Sequence, residues 1–137
     1  MKLFSALSVF AVLVVFPASF YSQMDAGRFK GFAKSHPQEI LNEVRQTFVV
    51  RDIRGEIRDG DGNPRPGVIF QIRLQSSSRI QGTKTDQSGR FRIKGTPEGT
   101  YDFKTTLDGF QSLVGKIQVS KVASPKPRIN LTLSLGF

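Results

Sequence analysis

The sequence predicts an all-β protein: a Greek-key sandwich of about seven antiparallel strands, behind a signal peptide and a short flexible or helical lead-in. Three observations predict it. From Thr47 to the end, apolar residues recur at every second position, the period of a half-buried strand. Turn residues (Gly, Pro, Asp, Asn) interrupt that pattern roughly every 8–12 residues. The 137 residues include no Cys and are 38% hydrophobic, so one small core has to hold the domain without disulfides.

The chain divides into residues 1–22, 23–46 and 47–137. Lys2, an apolar run to Phe16 and a tail with Pro17, Ala18, Ser19 and Ser22 have the form of a signal peptide. The run is shorter than the roughly 20 apolar residues of a membrane-spanning helix. The expectation is an exported protein (periplasmic, cell-envelope or secreted) with no stable membrane span after cleavage. Residues 23–34 show little periodicity and are expected to be flexible. Residues 35–45, with Ser35 or His36 at a cap, Pro37 in the first turn and Ile40, Leu41 and Val44 on one face, are expected to form a short helix.

The β domain begins with odd positions inward: Val49, Ile53, Gly55 and Ile57, with Arg51 breaking the series. Residues 59–63 are turn chemistry, and Pro64 and Pro66 keep the following approach extended. Residues 53–74 thus read as an opening hairpin. Its second strand turns Val68, Phe70, Ile72 and Leu74 inward. A third strand covers residues 80–85, weakened by Gly82, and residues 86–89 form a hairpin loop. Phe91 and Ile93 then face in, with Arg90, Arg92 and Lys94 out. Tyr101, Phe103, Thr105 and Leu107 face in, against Asp102, Lys104 and Thr106. Leu113, Gly115, Ile117 and Val119 mark a sixth strand; Ile129, Leu131, Leu133 and Leu135 mark the last.

One set of residues carries a family likeness. It comprises Ile53, Gly55, Ile57 and Asp59; Gly62, Pro64, Pro66, Gly67 and Val68; Thr83, Thr85, Asp86, Gly89 and Phe91; and Pro97, Gly99, Tyr101, Gly109 and Phe110. In this spacing the chain resembles the carboxypeptidase regulatory-like domain, a transthyretin-like (prealbumin-like) sandwich, over roughly residues 50–135. The resemblance implies an accessory or binding module of secreted or envelope proteins. It also groups the fold with carbohydrate-binding sandwiches.

Enzyme chemistry finds little support. His36 is the lone histidine, too few for a zinc triad or a nucleophile–base pair. Asp59 and Asp61 open like a calcium loop, but Pro64 holds the sixth position and Phe70 the twelfth, where Gly and a bidentate Glu belong. Related sandwiches crosslink a first-strand Lys to a last-strand Asn; Asn130 and Glu56 are present, but the first strand offers Arg51, Arg54 and Arg58 instead. No catalytic residue, metal ligand or cofactor is therefore assigned.

The formal charge of +9 favours anionic partners, and export argues against nucleic acid. The expected function is a non-enzymatic accessory module contacting an envelope or secreted protein, or serving structurally. The alternative is recognition of an acidic glycan through a basic strand face. The candidate contact residues are Arg54, Arg58, Arg73, Arg90, Arg92 and Lys94.

Overall fold

The computed structural model describes residues 27–136. It is all-β, with nine strands in two packed sheets. The signal-peptide reading falls outside the described residues. The strands are β1 (Leu41–Glu43), β2 (Phe48–Val50), β3 (Ile53–Asp59), β4 (Ile69–Leu74), β5 (Ile80–Lys84), β6 (Arg90–Ile93), β7 (Gly99–Thr106), β8 (Ser112–Val119) and β9 (Ile129–Leu133). A six-stranded sheet runs β1-β8-β7-β4-β5, with β2 also on β8; a three-stranded sheet runs β6-β3-β9. Among the described residues no helix is long and apolar enough to cross a membrane.

The core lies between the sheets, where the alternation placed it. Ile53 and Ile57 of β3, Phe70 and Ile72 of β4, Phe91 of β6, Tyr101 and Phe103 of β7, Ile117 and Val119 of β8, and Ile129, Leu131 and Leu133 of β9 are buried together. Phe70 ties the sheets: its ring stacks on Phe91 at 4.1 Å and on Phe103 at 5.6 Å. Such ring pairs add to what their buried area contributes.

Four features depart from the sequence reading. The first run is two strands in two sheets. Val50 is buried and Val49 is half exposed, because the bend at Arg51 and Asp52 hands the chain from one sheet to the other and resets the phase. Second, the supposed opening hairpin is a crossing: β3 and β4 lie in different sheets, joined by the Asp59 turn and the two prolines. The turn at residues 86–89 is likewise a corner between β5 and β6 rather than a hairpin loop. Alternation marks which face is buried, not which sheet a strand joins. Third, the sandwich is not wholly antiparallel, since β1 and β2 run parallel to β8, and β9 runs parallel to β3.

The fourth departure is the lead-in. Residues 35–45 form one turn, closed by the Glu39 N–H to the His36 carbonyl at 3.1 Å, and then the strand β1. The helix expected there would have spanned about three turns, too short to hold alone. The open edge of β8 offers backbone partners instead. Residues 27–34 are also docked rather than loose. Phe29 and Phe32, T-shaped at 5.4 Å, pack with Val114 and Ile80 on the outer face of the six-stranded sheet. Gln71 Oε1 accepts from the Ala33 N–H at 2.8 Å. Asp102 and Lys104 do face outward, as the alternation required, but the lead-in covers them. Arg28 bridges Asp102 and Glu43, both at 2.9 Å, and Lys104 pairs with Glu39.

Candidate functional site: a basic cleft on the three-stranded sheet

The outer face of the three-stranded sheet carries the site. Because Ile53, Gly55 and Ile57 point into the core, Arg54, Glu56 and Arg58 point outward. On β6 the same rule turns Arg90 and Arg92 out beside an inward Phe91. The register sets Arg54 opposite Arg92 and Glu56 opposite Arg90. Arg128, just before the inward Ile129, joins them from the third strand's start, and Lys84 from the end of β5. Arg54, Lys84, Arg90, Arg92 and Arg128, with Asp86, Gly55 and Phe91, line a cleft of about 340 Å³.

Local chemistry builds its rim. Asp86 Oδ1 accepts the N–H groups of Ser88 and Arg90, each at 2.9 Å. The Arg90 N–H bond, chiefly, holds this carboxyl below its ordinary range, aided by the Ser88 N–H and the Arg90 charge. Gly89 completes the turn at φ +75°, where a Cβ would stand 2.5 Å from the Ile57 carbonyl oxygen. Arg54 Nη2 donates to the Pro125 carbonyl at 2.7 Å. Its Nε is buried without a hydrogen-bond partner.

The structure distributes the six candidate residues unevenly. Arg54, Arg90 and Arg92 converge on the cleft. Arg58 shares their face but is turned to its own strand, donating to Glu56 Oε2 at 2.8 Å and to the Gly62 carbonyl at 2.7 Å. Lys94 is exposed beyond the end of β6 and does not line the cleft. Arg73 lies on the other sheet. It donates to the carbonyls of Arg28 and Lys30 and sits over the Phe32 ring at 5.4 Å, so it fastens the lead-in.

Lys84 and Arg128 escaped the sequence reading. Arg128 was within reach of it, since an outward position must precede inward Ile129. Lys84 carried no such signal, because only the corner between the sheets brings it near Arg90.

The other motifs resolve into local structure. Asp59 Oδ1 accepts the N–H groups of Asp61 and Asn63, each at 3.0 Å, and Arg65 approaches Oδ2 at 3.5 Å. His36 Nδ1 accepts the Gln38 N–H at 3.1 Å in the lead-in turn. Glu56 and Asn130 stand side by side in register, with Arg58 on the Glu56 carboxylate. Among the described residues no three His, Cys, Asp or Glu side chains gather as a metal site would require.

With the fold and cleft in view, comparison with known proteins decides the family. The profile of the carboxypeptidase regulatory-like domain matches residues 52–134. The chain belongs to that family. The regulatory-like domain, from Asp52 to Ser134, spans β3 to β9 and so includes the whole cleft. No curated protein matches the chain in sequence. Among solved structures, the domain is similar to 3-chlorocatechol 1,2-dioxygenase from Rhodococcus opacus 1CP, at 12% identity and TM-score 0.47, over 87% of this chain and 79% of that one. It is similar to catechol 1,2-dioxygenase from Pseudomonas arvilla C-1, at 13% identity and TM-score 0.45, over 85% and 66%. It is also similar to a chain of a type II cohesin–X–dockerin complex from Acetivibrio cellulolyticus, at 20% identity and TM-score 0.38, over 64% and 57%.

Proposed function

We propose that this regulatory-like domain is a non-enzymatic interaction module that holds an acidic surface of a partner protein against its basic cleft. The observation that carries the reading is the state of the cations there. Arg54, Lys84, Arg90, Arg92 and Arg128 converge on one cleft, and among the described residues none of them is within 4.0 Å of a carboxylate oxygen. Converging charges of one sign focus a field that attracts the opposite sign. Membership of the regulatory-like family supports a binding role over a catalytic one. The signal-like sequence of residues 1–22 supports an exported module that meets its partner in the envelope or outside the cell.

An acidic glycan is the second reading, because uronate or sulfate groups would also satisfy these cations. The test is capture from envelope extract beside retention on a polyuronate column, using the wild type and an Arg54→Gln/Arg90→Gln/Arg92→Gln variant. The interaction reading expects protein capture at physiological salt, release by about 0.5 M salt, and loss of capture in the variant. Retention on polyuronate alone favours the glycan. Equal capture by both proteins removes the cleft from the function.

A further inference from the structure

The proposed interaction has a centre, and this inference rests on that reading. Arg54 and Arg92 stand directly opposite each other across the β3–β6 ladder. Residues so placed have Cβ atoms about 4.5–5.5 Å apart, and like charges there work against the sheet. Glu56, the acid nearest in the ladder, faces Arg90 and accepts from Arg58 at 2.8 Å. Arg54 is tethered through Nη2 to the Pro125 carbonyl, so it does not relieve the repulsion by swinging away. Its buried Nε lacks an acceptor, a costly state for a charged donor.

We propose that Arg54 and Arg92 form a clamp for a carboxylate carried by an acidic peptide segment. A guanidinium fork matches a planar carboxylate with two parallel hydrogen bonds. A carboxylate between the two arginines neutralises the pair. Two features favour a protein carboxylate over other anions. Asp86 at the rim opposes a doubly charged phosphate more than a singly charged carboxylate. Phe91, the ring in the cleft lining, is only 5% exposed, so the site offers no stacking platform to a sugar.

The test titrates the full chain with hexaglutamate, oligogalacturonate and inorganic phosphate at physiological salt. Hexaglutamate is expected to bind, and Arg54→Gln and Arg92→Gln are each expected to weaken it about tenfold or more. Arg54→Lys keeps the charge without the fork and is expected to lose most of the same affinity. Lys116→Gln, the same charge change on the opposite sheet, is expected to stay within about twofold. Thermal unfolding supplies a second signature: Arg92→Gln raises the midpoint of the unliganded protein, because the repulsion is gone, while hexaglutamate no longer raises it. Hexaglutamate binding indifferent to both arginines overturns the clamp and leaves the interaction module standing. Preference for galacturonate or phosphate with the same arginine dependence overturns the peptide carboxylate as the ligand. Failure of all three probes overturns the clamp and the anionic-partner reading together.

Discussion

A methyl group added at Gly55 would stand 1.8 Å from the Ile129 carbonyl oxygen and 2.9 Å from the Phe91 ring. The parallel ladder between β3 and β9 therefore requires glycine there. Gly55→Ala is expected to destabilise by about 3 kcal/mol or more in urea unfolding. Gly60→Ala, with nothing within 4 Å of the added atom, should stay within roughly 0.5 kcal/mol. Tyr101 makes a different contribution: its hydroxyl donates to the Pro97 carbonyl at 2.6 Å while its ring is buried. Tyr101→Phe should cost about 1 kcal/mol. Burial raises the Tyr101 pKa above 10.0. The folded state thus favours the neutral phenol, and this contribution is full below that pH and lost as pH rises through the folded value. Unfolding curves above pH 10 should fall less steeply for the Phe variant. At this scale the inward set was legible from period two, and Tyr101 was placed by it. The need for glycine at Gly55 was not, since it arises from a strand some seventy residues downstream that no local pattern announces.

The lead-in is the element that sequence reasoning misjudged, and the cause is charge. Glu39, Arg28 and Glu43 look like solvated surface in a linear reading, yet they complete Lys104 and Asp102 on the neighbouring sheet. Lys104 is 1% exposed and Asp102 4%, so each needs its partner. Glu39→Gln leaves the Lys104 ammonium buried without a counter-charge and should cost about 3–5 kcal/mol. A Glu39→Leu/Lys104→Met double variant should recover much of that loss, measured by thermal unfolding of all three proteins. If Glu39→Gln is neutral, the lead-in is not fastened by this pair. The β2–β3 break follows similar logic. Arg51 signalled an interruption, but the sequence carries no mark that the chain changes sheets there.

For the molecule as a whole, the two outer faces are built differently. One sheet has Asp102 and Lys104 paired beneath the lead-in, while the other leaves Arg54, Arg90 and Arg92 without a carboxylate partner among the described residues. Self-repulsion on the open face should respond to salt. Raising sodium chloride from about 0.02 to 0.5 M is expected to lift the thermal midpoint by a few degrees. The Arg54→Gln/Arg90→Gln/Arg92→Gln variant should show a clearly smaller rise. An equal rise in both would mean that the response comes from elsewhere. The basic face was half legible: alternation gave Arg54, Arg90 and Arg92, but the same rule admitted Arg73, because strand phase tells outward from inward and not one outer face from the other. The docked lead-in has one more consequence. Arg28 and Phe29 are anchored on the face opposite the cleft, which gives the domain a back and a front. Held from its amino-terminal side to a surface, a bead or another domain, it would present the arginines away from the support, so the tether and the ligand would not compete for room.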